Sequence, residues 1–101
     1  MTEPGVGDGG GTSGRAEGQR RVLLAEDDLV NGGMLREILV SGGYHVAWAR
    51  DGEEALSFVA PEAPDLVVLD LMMPKIDGFE VCARLKGDRS TRHIPVLVIT
   101  A

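Results

Sequence analysis

The 101-residue sequence predicts an α/β fold of three layers, in which helices cover both faces of a parallel β-sheet. Short apolar runs bounded by turn residues alternate with segments of helical spacing, in the order β-α-β-α-β-α-β. The runs are apolar on both faces, as strands buried within a parallel sheet are. Alternation of this kind produces right-handed crossovers, with helices on both faces of the sheet.

The composition indicates a single domain with an aliphatic core, because 44% of the residues are hydrophobic and only 4% are aromatic. A formal charge of −6 argues against nucleic-acid binding by this segment, since phosphate contacts require clustered Lys and Arg. Cys82 is the single cysteine, which excludes a disulfide framework and a thiolate metal cluster. No apolar run is long enough to span a membrane and no secretory signal is visible, so we expect a cytoplasmic protein without membrane contact.

Residues 1–20 are expected to form a flexible, Gly-rich tail, and residues 21–101 to form the folded domain. The tail holds seven of the fourteen glycines and almost no apolar residues. Such a segment buries too little surface to offset the entropy that is lost on ordering.

The first predicted strand, residues 21–25, ends at the carboxylates Glu26 and Asp27. Residues 29–41 are then predicted to form a helix. The helical spacing comes from apolar residues that recur every four positions, Val30, Met34 and Ile38.

Glycines lie both at the end of this helix and inside it. Gly42 and Gly43 are predicted to terminate the helix. Gly32 and Gly33 lie within it, and each should cost about 1 kcal/mol relative to alanine. The helical spacing gives no reason for either of them.

Residues 45–49 form the second predicted strand, with Val46 and Trp48 on one face. His45 lies on the other face, and we expect it at the protein surface because neither histidine has the spacing of a metal ligand. The second helix is predicted to begin at Asp51, the N-cap, with Glu54 reaching back three residues.

Pro61 and Pro64 are predicted to end that helix. The third strand, residues 66–70, then delivers Asp70 to the edge of the sheet at which open α/β folds bind their ligands. Asp77 is predicted to cap the third helix and to have no chemical role.

The fourth strand, residues 94–99, leads into Thr100. Three strand ends therefore carry polar groups at one edge: Glu26 and Asp27, Asp70, and Thr100. Three carboxylates at one edge repel one another unless a cation lies among them, and hard oxygen ligands suit Mg²⁺. A carboxylate beside such an ion can attack phosphorus, so we expect phosphoryl transfer onto Asp70.

Three blocks of the sequence resemble the receiver domains of two-component response regulators. They are VLLAEDD at residues 22–28, PDLVVLDLMMPKIDG at residues 64–78 and IPVLVITA at residues 94–101. The resemblance implies a flavodoxin-like sheet of strand order 2-1-3-4. It also implies a signalling module rather than an enzyme that turns over a substrate.

The resemblance also implies a role for each site residue. Asp70 is the phosphoacceptor, which takes its phosphoryl group from a phosphohistidine on a sensor histidine kinase or a phosphotransfer protein. Asp27 binds Mg²⁺ directly and Glu26 binds it through a water. The backbone carbonyl of Met72 is a further metal ligand, and Thr100 is the switch hydroxyl.

One departure from the family pattern concerns the end of the sequence. Receivers continue through a helix, a fifth strand that carries a phosphoryl-binding lysine, and a final helix, all expected to be absent here. Lys75 matches a variable loop position and is not expected to replace that lysine. We therefore expect a truncated receiver with an exposed apolar edge at residues 96–99, poor phosphorylation and marginal stability, and an output domain is a possible partner.

Two alternative functions stay open. A pseudo-receiver would bind partners without being phosphorylated, as the missing lysine suggests. A phosphatase or phosphotransferase with an aspartate nucleophile would resemble this chain at Asp70. Such enzymes usually carry a second Asp two residues later as acid/base, where this sequence has Met72.

Overall fold

The computed structural model describes residues 18–99, which form a four-stranded parallel sheet and three helices. The strands are β1 Arg21–Ala25, β2 His45–Ala49, β3 Leu66–Asp70 and β4 Val96–Ile99, and the helices are α1 Leu29–Ser41, α2 Gly52–Glu62 and α3 Gly78–Gly87. The strand order β2-β1-β3-β4 confirms the predicted order. Residues 1–17, which hold most of the predicted tail, and residues 100–101 lie outside the described part.

The core consists of two apolar clusters, one on each face of the sheet. The larger cluster joins alternate residues of the strands to Ala55 and Val59 of α2 and to Val81 and Leu85 of α3. The smaller cluster, built on Val22, Leu24 and Val68, packs against α1. The predicted three-layer architecture is therefore confirmed, with α1 on one face and α2 and α3 on the other.

The register of the parallel strands brings their carboxyl ends to one edge. Ala25, the last residue of β1, pairs with Ala49 on one side and with Leu69 on the other. Asp70, one residue further along β3, pairs with Ile99 of β4. Glu26, which follows Ala25, therefore lies level with Asp70 at this edge.

Helix α1 has the predicted bounds, but the residues that revealed its period do not form its buried face. Val30, Met34 and Ile38 are 75%, 54% and 61% exposed. Leu35 and Leu39, which share the period at other positions, pack against the sheet instead. An apolar repeat thus identified the helix correctly but not the face that packs against the sheet.

Helix α2 begins as predicted and ends at Glu62, between the two prolines that are predicted to end it. Asp51 accepts a hydrogen bond from the N–H of Glu54, whose own carboxylate accepts from the N–H of Arg50. Pro61 lies inside the last turn of the helix, which continues for one more residue, to Glu62. Ala63 then ends the helix with a left-handed φ of 46°.

Two further predictions need correction. Strand β4 begins at Val96 and not at residue 94, because Ile94 and Pro95 form the approach to the strand. His45 is not a surface residue: its side chain is only 13% exposed, with Nε2 3.4 Å from Oε1 of Glu62. Within residues 18–99, no helix is long and apolar enough to cross a membrane.

Candidate functional site

Three carboxylates meet at the carboxyl edge of the sheet, as the sequence predicts. Glu26 and Asp27 follow β1 directly, and Asp70 is the last residue of β3. One oxygen from each of the three side chains lies within 4.8 Å of the others. The topology therefore brings together residues that are separated by more than forty positions in the sequence.

Burial distinguishes the three acids from one another. Glu26 and Asp70 are only 5% and 7% exposed, whereas Asp27 is open to solvent. Burial raises the pKa of the Glu26 carboxyl above its ordinary value, and the negative charges of Asp70 and Asp27 add to this rise. The hydrogen bond from the Asp28 N–H opposes it. The protein thus holds negative charge here at an energetic cost.

Backbone N–H groups orient the two buried carboxylates. The N–H of Asp28 donates to Oε2 of Glu26 at 3.1 Å, and the N–H of Met72 donates to Oδ1 of Asp70 at 3.1 Å. Each donor lies two residues beyond its acceptor, where the chain turns away from the strand. These local turns fix the carboxylate positions at the sheet edge.

Asp28, the third acidic residue after β1, is the N-cap of α1. Its side chain accepts from the N–H of Val30 at 3.0 Å and from Nδ2 of Asn31 at 2.9 Å. The side chain of Asp28 therefore caps the helix, whereas the side chain of Asp27 belongs to the group formed with Glu26 and Asp70. The two neighbouring aspartates have different roles.

Gly78 lets α3 start close behind Asp70. A Cβ atom at Gly78 would lie 2.5 Å from the carbonyl oxygen of Asp70 and 2.6 Å from Cα of Leu71. The Gly78 N–H donates to the carbonyl oxygen of Leu71 at 3.0 Å, and Asp77 caps the helix as predicted. The Asp-Gly pair is therefore structural, and its glycine supports the loop that carries Met72.

A cavity of about 500 Å³ opens above the carboxylates. It is lined by the acidic group and by residues of α1, of β4 and of the loop after β3, namely Glu26, Asp27, Asp28, Asn31, Met34, Leu35, Asp70, Met72 and Ile99. Among these lining residues the charged side chains are all acidic. The cavity therefore favours a cation or a ligand that arrives with one.

The other predicted site residues are placed as follows. Met72 lines the cavity and contacts Asp70 through its N–H, so its carbonyl remains a predicted ligand. Thr100 lies outside the described residues, although its neighbour Ile99 lines the cavity. Lys75 turns away from the site, with Nζ 3.5 Å from Asp51 and 3.7 Å from Glu53. It does not replace the expected lysine.

Several residues at this site were not predicted from the sequence, among them Asn31, Met34 and Trp48. Asn31 and Met34 line the cavity because the first turns of α1 lie beside β1, and this placement depends on how the helix packs. Trp48 contacts Glu26 from β2, through its indole N–H. Gly32, inside α1, was the signal in the sequence that could have indicated Trp48, since a glycine in a helix often marks a close contact.

The acidic group has the chemistry of a hard-cation site. Three carboxylates whose oxygens lie within 4.8 Å of one another, two of them buried, offer the oxygen ligands that Mg²⁺ prefers. Burial, and after it the charges of Asp70 and Asp27, raise the pKa of Glu26, so a bound cation would favour its ionised form. The residues present therefore fit a divalent cation.

Comparisons with known proteins agree on one family. Residues 22–101 match the family model described as the response regulator receiver domain. Response regulator PleD of Caulobacter vibrioides is 47% identical over 81 residues, which are 80% of this chain and 18% of PleD. The chain thus corresponds to about a fifth of that relative.

Solved structures show the same likeness. The N-terminal domain of a response regulator receiver protein from Methanoculleus marisnigri has a TM-score of 0.77 at 41% identity. The phosphorylated cyanobacterial phytochrome response regulator RcpA has a TM-score of 0.75 at 33% identity. The matches cover 80% and 81% of this chain, but 66% and 65% of those chains.

Proposed function

The chain belongs to the response regulator receiver domain family, and from this premise we propose that Asp70 accepts a phosphoryl group in a Mg²⁺-dependent reaction. The observation that carries the proposal is the group formed by Glu26, Asp27 and Asp70 at one edge of the sheet. The donor is a phosphohistidine on a sensor histidine kinase or a phosphotransfer protein. The reaction takes place in the cytoplasm, and the signal passes to an output domain.

In this reaction the Asp70 carboxylate is the nucleophile. One of its oxygens forms a bond to phosphorus while the bond between phosphorus and the donor's imidazole nitrogen breaks. The electron pair of that bond stays on the imidazole, and the product on Asp70 is an acyl phosphate. The N–H of Met72, bound to Oδ1, keeps the carboxylate turned toward the cavity.

Glu26, Asp27, Asp70 and the carbonyl of Met72 would hold the Mg²⁺, with Glu26 acting through a water. The ion supplies neutralisation of the negative charge that develops on the phosphoryl oxygens. Thr100, one residue beyond β4, would donate its hydroxyl to a phosphoryl oxygen. Together these groups stabilise the acyl phosphate and allow a conformational change to follow.

We propose a signalling module rather than an enzyme that releases product. An aspartate-nucleophile phosphatase needs an acid/base group close to its nucleophile. Two residues after Asp70 the chain carries Met72, whose thioether cannot transfer a proton. A stoichiometric, slowly lost label is therefore the expected product, and turnover of a phosphate ester would favour the phosphatase.

The experiment treats the chain with acetyl phosphate and Mg²⁺ and measures the mass of the product. We expect one phosphoryl group, formed slowly, on the parent and none on Asp70→Asn. Asp88→Asn is the control, because Asp88 is an exposed residue that follows α3. A label on Asp70→Asn, or labelling that does not require Mg²⁺, would contradict the proposal.

A pseudo-receiver is the second candidate, and the charge of the cavity favours it. None of the described residues that line the cavity carries a positive charge to hold a phosphoryl group, and Lys75 binds Asp51 and Glu53 instead. Titration of the parent and Asp27→Ala with Mg²⁺ separates the two functions. A receiver loses a metal response in the variant, whereas a pseudo-receiver has none to lose.

A further inference from the structure

Trp48, the single tryptophan of the sequence, binds the acidic segment from the neighbouring strand. Its indole Nε1–H donates a hydrogen bond to the carbonyl oxygen of Glu26 at 2.9 Å. The N–H of Glu26 donates to the carbonyl oxygen of Ala49 at 3.0 Å. Both backbone polar groups of Glu26 are therefore held by β2, although Glu26 lies beyond the end of β1.

The indole ring occupies space that α1 leaves free at Gly32. A Cβ atom at Gly32 would overlap Cζ2 of the ring and come within 2.8 Å of Nε1. Just beyond the end of β2, the Arg50 guanidinium lies 5.7 Å from the ring centroid, within the range of a cation–π contact. Helix α1 and Arg50 thus hold the ring in the orientation that directs its N–H to Glu26.

The contacts of the indole and those of the acidic segment form one closed network. Oε2 of Glu26 accepts from the N–H of Asp28. The carbonyl oxygen of Asp28 accepts from the N–H of Gly32 at 2.8 Å. Gly32 in turn gives the indole of Trp48 its space, so displacement of the ring acts on both ends of the segment.

We propose that Trp48 is a positioning residue for the acidic cluster, acting through the backbone carbonyl of Glu26, and that Gly32 is required for it. The inference rests on the proposed function, in which the cluster binds Mg²⁺. That ion demands near-ideal octahedral geometry. The hydrogen bond fixes the peptide between Glu26 and Asp27, and therefore the separation of their carboxylates from Asp70.

The test measures Mg²⁺ binding by calorimetry for the 101-residue chain and three variants. Trp48→Phe keeps an aromatic ring and removes the donor, whereas Gly32→Ala keeps the donor and displaces the ring. Gly33→Ala is the matched control, because nothing lies within 4 Å of its added Cβ. We expect the first two variants to weaken binding by about 3- to 10-fold, as for the loss of one hydrogen bond, and the control to match the parent.

A second measurement is independent of the metal. In the metal-free chain, the amides of Glu26, Asp28 and Gly32 should exchange hydrogen faster in Trp48→Phe and Gly32→Ala than in Gly33→Ala. Unchanged Mg²⁺ affinity together with unchanged exchange would overturn the inference. A parent that binds no Mg²⁺ overturns the proposed function instead, and the exchange rates then decide the inference alone.

A third measurement applies if neither variant folds. The fluorescence emission spectrum of Trp48 in the parent should shift when Mg²⁺ is added, because the indole donates a hydrogen bond to Glu26, which is part of the proposed Mg²⁺ site. An unchanged emission spectrum during saturation with Mg²⁺ would count against the inference.

Discussion

The two ends of the sheet each bury carboxylate groups, but they surround them differently. At the amino-terminal end, Glu62 is 5% exposed and lies 3.4 Å from His45, with Arg21 donating to its backbone carbonyl at 2.7 Å. At the carboxyl end, the equally buried Glu26 has Asp27 and Asp70 as its ionisable partners. One carboxylate lies among cationic or protonatable groups, and the other lies among acids.

This difference separates a structural arrangement from a reactive one. Removing one member of a buried pair is destabilising, because the other group is left buried without compensation. A buried carboxylate among like charges destabilises the fold until a cation binds, which makes it a candidate functional site. Both positions carry a glutamate of equal burial, so the surroundings decide the role of each group.

The largest expected effect is at the amino-terminal end. Glu62→Ala removes the buried carboxylate that lies 3.4 Å from Nε2 of His45. We expect the free energy of unfolding at neutral pH to fall by about 2 kcal/mol, because the substitution removes the packed atoms of a buried side chain. Urea denaturation measures the change. An unchanged midpoint would show that this end is not held together by the pair.

At the carboxyl end of the sheet, we expect a substitution to stabilise the fold instead. Glu26→Gln removes one of the crowded charges and keeps an oxygen that can accept from the N–H of Asp28. In the absence of divalent cations, this variant should have a higher melting temperature than the parent at neutral pH. The rise should be smaller than the fall in melting temperature that Glu62→Ala causes. Thermal unfolding followed by circular dichroism provides the measurement, and a lower melting temperature would refute the comparison.

The pH dependence sharpens this comparison further. Because the pKa of Glu26 is raised in the folded chain from an ordinary value of 4.5, the folded state binds more protons above that pH than the unfolded state does. The free energy of unfolding should therefore fall as the pH rises from about 4.5 through the raised pKa, and stay low above it. Saturating Mg²⁺ should offset this fall.

The difference between the parent and Glu26→Gln isolates this contribution from the other carboxylates. The pKa of Asp51 and that of Asp88 are lowered by backbone N–H donors, so those groups act in the opposite direction and at lower pH. Equal slopes for the two proteins between pH 4.5 and neutrality would contradict the assignment.

The smallest expected effect concerns Lys75. Its ion pairs with Asp51 and Glu53 are exposed, and such pairs contribute little in salt. Lys75→Gln should leave the denaturation midpoint and the Mg²⁺ affinity unchanged within error. A marked gain of Mg²⁺ affinity would mean that Lys75 reaches the acidic site in solution, because its ammonium group repels the ion there.

Most of the fold could be predicted because its signals are local. Each of these signals depends on neighbouring residues alone: the short apolar runs, the N-caps Asp51 and Asp77, and the end of α1 at Gly42 and Gly43. The convergence of Glu26, Asp27 and Asp70 followed from one rule, that parallel strands end at the same edge. The roles of these residues, and that of Thr100, remain predictions.

What could not be predicted depends on contacts between distant segments. The buried face of α1 is set by the sheet beneath it, and the exposed repeat of Val30, Met34 and Ile38 gave no indication of this. Gly32 has a reason only once Trp48 is placed beside it. His45 has a buried acidic partner only because α2 ends above β2.

Strand β4 has a practical consequence for handling the protein. Among the described strands it pairs with β3 alone, and its side chains Leu97 and Val98 are 55% and 42% exposed. The unpaired N–H and C=O groups of such an edge strand can form hydrogen bonds with those of a second molecule. Samples of the 101-residue chain at high concentration should therefore self-associate through this strand, and Val98→Lys should keep them dispersed.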